Sequence, residues 1–100
     1  MRNLLRQTST SIMLLDGSAY QTFVIECVTA VNNLRIKYVS PGQLYAFVVV
    51  QNELGNHGFN WGAQVRNAPQ VSLEPFATTV QCFVGLVGGF LQAVPPGAWR

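Results

Sequence analysis

One stretch constrains this chain more than any other: LYAFVVVQ, residues 44–51. Its β-branched and aromatic residues fit a pleated strand packed against apolar neighbours. Leu44, Ala46, Val48 and Val50 fall on one parity, and Tyr45, Phe47 and Val49 on the other. A strand of an ordinary two-layer sheet keeps one face polar and wet. Neither parity is wet here, so each face of this strand needs a cover. Turn formers follow from Gln51 to Asn56, and HGFNW then resumes the apolar pattern. The order predicts a hairpin, with Gly55 and Asn56 at the positive-φ positions of its loop.

Composition shows where a cover could come from. A chain of 100 residues makes one domain, burying roughly 65% of the surface that its unfolded form exposes. The hydrophobic share is 49% and the charged share only 10%, against about 25% charged in an average soluble protein. Charge depletion marks the cores of protein interfaces, so a homo-oligomer, a trimer or higher assembly, is expected. A monomer solvated by its many Ser, Thr, Asn and Gln residues is the alternative. The net charge of +2 comes from six scattered cations rather than a basic stripe, so nucleic acid is not an expected partner. No apolar run approaches the roughly 18 residues of a membrane span. The short apolar piece at 12–15 follows polar TSTS and reads as neither export signal nor anchor. Cys27 and Cys82 sit in apolar strand patterns and read as buried free thiols. Neither a metal site nor a cofactor is expected from them.

In chain order, residues 1–7 read as an N-terminal arm, 8–94 as the folded domain and 95–100 as a C-terminal tail. Residues 8–15 form a first strand, and Asp16-Gly17-Ser18 turns the chain. Residues 21–31 form a second strand with Phe23, Ile25, Cys27 and Val31 on one parity. Asn32-Asn33 then suits a two-residue hairpin turn. Residues 34–39 alternate, with Leu34, Ile36 and Tyr38 inward and Arg35 and Lys37 outward. Ser40-Pro41-Gly42 turns into the central strand. After Trp61 comes a connection holding Pro69 and Pro75, with a short strand at 70–73. Strands at 78–86 and 90–94, joined by Gly88-Gly89, close the sheet. Prolines 95 and 96 cannot donate to a central ladder. About seven to eight short antiparallel strands without helical period predict an all-β fold, a β-sandwich or jelly-roll-like domain.

Reactive chemistry is sparse. His57 is the only histidine, and the four carboxylates (Asp16, Glu26, Glu53 and Glu74) are far apart in sequence. No phosphate loop, nucleophile elbow or metal cluster occurs, and an enzyme is not expected. Two surfaces remain. The first is self-association through Tyr45, Phe47 and Val49, helped by Pro95, Pro96 and Trp99 of the tail, whose amphipathic ring should dock rather than stay exposed. The competing reading covers the Tyr45 parity with the 62–77 connection of the same subunit. The second surface is a ligand loop of Asn52, Glu53, Asn56 and His57 with Trp61, able to stack on and hydrogen-bond a sugar.

The order SPGQLYAFVVVQNELGNHGFNWGAQVRNAPQVS, followed by TTVQCFVGLVGGFLQAV, resembles a β-sandwich module of tailed-bacteriophage virion proteins. That module occurs in tail fibres, tail spikes and related surface appendages. The likeness spans about residues 20–94 and rests on Pro41-Gly42, Gln51, Gly55, Trp61, Pro69, Val80 with Phe83 and Val84, and Gly88 or Gly89. Asn52 stands where the module usually carries an acidic residue, and here the module is the whole chain rather than part of a long fibre. The resemblance implies a virion structural or surface protein: a capsid decoration, fibre or tail-surface subunit that docks on other virion proteins. A carbohydrate- or receptor-binding module, with a glycan or cell-surface receptor as partner, is the alternative. A subunit of a filament or tube growing by strand addition is a third reading.

Overall fold

The computed structural model describes residues 4–94, which are all-β. Eight strands follow in order: β1 (Leu4–Thr8), β2 (Ile12–Asp16), β3 (Thr22–Cys27), β4 (Asn33–Lys37), β5 (Leu44–Gln51), β6 (Val65–Arg66), β7 (Thr78–Gly85) and β8 (Leu91–Ala93). They form a six-stranded sheet in the order β1-β3-β5-β7-β8-β6 and a two-stranded sheet, β2-β4.

The first half of the chain winds. It alternates between the large and small sheets, so β1, β3 and β5 stack in parallel, as do β2 and β4. Leu4 lies beside Thr22, which lies beside Ala46. The second half then reverses: β7 runs antiparallel to β5, and β8 antiparallel to β7. β6 adds in parallel to β8.

The antiparallel expectation is therefore corrected to a mixed topology. The Asn32-Asn33 segment does not turn a hairpin, because the chain there crosses from the large sheet to the small one. The expected strand over 8–15 is broken at Ser9-Thr10-Ser11, and most of the expected N-terminal arm belongs to β1. Ser9 makes this corner possible. Its buried hydroxyl donates to Thr29 O at 2.8 Å and accepts from the N–H groups of Val28 and Thr29. Residues 57–61 do not pair with β5 either; Phe59 makes a single parallel bridge to Val31. The short late strand falls at Val65–Arg66 rather than 70–73.

Several local expectations hold. Gln43 N–H donates to Ser40 O across Pro41-Gly42, with Gly42 at φ 83°, the pattern of a type II turn. Gly55 and Asn56 have φ of 65° and 63°, and Gly88 and Gly89 have 92° and 85°.

One apolar core joins both sheets. The small sheet contributes Met13, Leu15, Leu34 and Ile36; the large sheet contributes Phe23, Ile25, Tyr45, Phe47, Val49, Phe83 and Leu91. Phe47 is the hub. Its ring stacks on Phe23 at 5.0 Å and meets Trp61 and Phe83 edge-on at 5.4 and 5.6 Å. Such aromatic pairs contribute about 0.5–1.5 kcal/mol each beyond area burial. Tyr45 is equally enclosed, its hydroxyl accepting from Ser40 N–H and donating to Gly17 O.

The assignment of Tyr45, Phe47 and Val49 to self-association is therefore corrected. They are 1%, 0% and 0% exposed and fill this domain's own core. Trp61 and the small sheet supply their cover. Phe47→Asp should unfold the domain, because a carboxylate there has neither water nor a partner. Loss of near-ultraviolet circular dichroism would show this, and folded, soluble monomers would contradict it.

Candidate functional site

Among the described residues no three His, Cys, Asp or Glu side chains approach closely enough to hold a metal. Asp16 is engaged locally: Ser18 donates both its hydroxyl (2.6 Å) and its N–H (2.9 Å) to the carboxylate. Those two bonds hold the Asp16 carboxyl below its usual range. Burial raises the Cys27 thiol, disfavouring the nucleophilic thiolate. Cys27 and Cys82 are both free.

The expected ligand loop is closed on itself. Asn52 Oδ1 accepts from the N–H groups of Leu54 and Gly55 and lies 3.0 Å from His57 Nε2. Buried Gln51 spans the loop base, donating to His57 O and accepting from His57 N–H. Asn56 N–H donates to Leu73 O at 2.7 Å. A Cβ on Gly55 would sit 2.7 Å from that same carbonyl, so glycine permits the close approach. Glu53 remains exposed. Trp61 is not part of an open platform. It is 8% exposed, its indole N–H donates to Pro69 O at 2.9 Å, and its ring packs on Phe47, Phe59 and Phe83. The loop and the indole are thus separate features, and the sugar-stacking role expected of Trp61 is corrected to core packing. The proposed tail contacts, Pro95, Pro96 and Trp99, lie outside the described residues.

An open groove of about 610 Å³ follows the outer edge of β4, between residues 33–39, 63–64 and 88–90. The Gln64 side chain already occupies the strand edge there. Its Oε1 accepts from Ile36 N–H at 2.7 Å, and its Nε2 donates to Ile36 O and to Gly89 O. Gly62 lies against Leu34 O, where a Cβ would come within 2.3 Å. A side-chain amide thus takes the place of a further strand and blunts the β4 edge, one of the ways proteins prevent unwanted strand addition.

Among the described residues no further strand layer is packed on the outer face of the large sheet. Register aligns Arg6, Val24, Val48 and Val80 in one row across β1, β3, β5 and β7. Neighbouring rows carry Leu4, Thr22, Ala46 and Cys82, and then Glu26, Val50 and Thr78. Leu44 and Val80 are 55% and 61% exposed. The one charge pair on this face is internal: Arg6 donates Nε and a terminal N–H to Glu26 Oε2. Sequence reasoning detected that both parities of the central strand were apolar. Of the two readings of the Tyr45 parity, cover within the subunit is the one the structure shows: the aromatic side chains lie inside, with Val71 of the 62–77 connection buried in the same core, and the small side chains face out.

Comparison with protein-family models, curated proteins and solved structures finds no match to this chain.

Gln51→Ala should lower stability by about 1–3 kcal/mol, because it strips the His57 N–H and C=O of their partner. Urea denaturation measures this; an unchanged midpoint would contradict the role given to Gln51.

Proposed function

We propose that this chain is a non-enzymatic structural subunit of the virion-surface kind, acting by self-association and docking on a particle as a decoration, fibre or tail-surface protein. The observation that carries the assembly reading is the apolar outer face of β1, β3, β5 and β7, with Leu4, Val24, Leu44, Ala46, Val48, Val50 and Val80 facing away from the core. Four strands about 4.8 Å apart and about 18 Å long give a footprint of roughly 350 Å². That is the size of the largest apolar patch on an ordinary monomer, a patch that is often functional.

The chemistry of the face suits a protein partner. Its small β-branched residues give a flat surface, and sheets pack face to face about 10 Å apart. Arg6 and Glu26 neutralise one another within the chain, so a neighbour meets no bare charge. In this reading the fold is an incomplete sandwich: the six-stranded sheet has only a small sheet on one side, and a docked subunit supplies the layer on the other. The virion setting rests on the sequence resemblance alone.

Val48→Asp tests the reading. The side chain points outward, so the domain should keep its circular dichroism spectrum while its native mass by light scattering falls. A wild-type chain that is monomeric at every concentration, or a mass that Val48→Asp leaves unchanged, would overturn self-association through this face.

A further inference from the structure

The winding half of the fold has two ends, and they are treated differently. At the far end β5 is covered by β7, and the β4 edge is capped by Gln64 and Gly62. The near end is the first coil, β1 with β2, and both strands are edges of their sheets.

The direction of the printed bonds identifies the open groups. Ser9 N–H donates to Glu26 O, toward β3, and Asn33 N–H donates to Ser11 O, toward β2 from β4. Backbone groups of a strand point alternately to its two sides. The N–H and C=O groups of Leu4, Arg6 and Thr8, and of Ile12 and Leu14, therefore point away from the fold. Among the described residues they meet one partner, the Thr10 hydroxyl on Ile12 O. The edge also lacks several of the usual protections. β1 and β2 contain no proline or lysine and no bulge, features that natural edges use against strand addition. The Arg6 charge is already paired with Glu26.

We infer that this open coil edge is a β-augmentation site whose occupant is the same edge of a second copy. The inference rests on the assembly reading above but uses a different surface. A head-to-tail stack needs acceptors for both β1 and β2, whereas the β4 edge is capped by Gln64 and the large sheet ends in the two-residue β6. A twofold axis along the sheet normal instead sets β1 antiparallel to its counterpart and β2 antiparallel to its counterpart. The pairing satisfies both sets of groups; the edges that remain are the Gln64-capped β4 and the two-residue β6, so the contact is isologous and closes at two copies. Filament growth by this route would need an acceptor for β2, and Gln64 occupies the β4 edge that would serve.

Two variants and one exchange measurement test this. Proline is tolerated on an edge strand where its missing N–H faced outward, so Thr8→Pro combined with Leu14→Pro should leave the domain folded. In the Val48→Asp background, which removes the sheet-face contact, light scattering should give two chains. Adding the two prolines should give one. In the same background, amide exchange at Arg6, Thr8, Ile12 and Leu14 should slow about tenfold or more as concentration rises through the dimerisation range. A single chain for Val48→Asp alone would overturn the edge pairing while leaving the face reading intact. So would a two-chain mass that survives the prolines, or exchange at those amides that is independent of concentration. A wild-type mass indifferent to Val48→Asp would instead overturn the face reading, and the proline variants would still decide the edge.

Discussion

The contact on which the rest depends is the aromatic cluster at Phe47. Phe23, Trp61 and Phe83 come from β3, from the segment after the 51–57 loop and from β7, and all meet that one ring. Parallel pairing of β3 with β5 and antiparallel pairing of β7 with β5 place their inward residues on one layer. Trp61 then pins the late connection, because its indole N–H reaches Pro69 O. A domain this small cannot afford two cores, so the large side chains of the central strand go inward.

The outer surface follows from that choice. Once Tyr45 and Phe47 are inside, period two sends Leu44, Ala46, Val48 and Val50 outward. β3 and β7 add Val24 and Val80 at the same level. The low charge content and the exposed apolar sheet are one fact seen twice: the residues that could have been charged on this face are valines. The closed Asn52–His57 loop and the amide-capped β4 edge contrast with it. Their polar groups are satisfied within the chain, whereas the outer face exposes apolar side chains and the first coil turns the N–H groups of Arg6, Thr8, Ile12 and Leu14 outward.

Periodicity in the sequence was sufficient to show which way many side chains point. Phe23, Ile25 and Cys27 are buried together, and Leu34 and Ile36 alternate with outward Arg35 and Lys37. Turn chemistry at Pro41-Gly42 and Gly55-Asn56 was legible because few residues adopt those backbone angles. Partner choice was not legible: period two reports the face of a strand and carries no information about its neighbour, so the parallel winding went unseen. Tyr38, expected inward, is exposed with φ of 60° because the chain leaves the strand at Lys37. For the central strand, side-chain size was the missing signal: the bulkier parity fills a core, and the smaller one leaves a face flat enough to pack against a sheet.

Cys82 offers the most direct measurement of the central claim. It lies beside Ala46 on the outer face of the large sheet, while Cys27 is buried on the inner face and serves as the internal control. Alkylation of Cys82 should be measured in the native protein over a wide range of concentration. If the face docks on another copy, the Cys82 rate falls as concentration rises, and Cys27 stays unmodified throughout. A Cys82 rate that does not change with concentration would contradict the account.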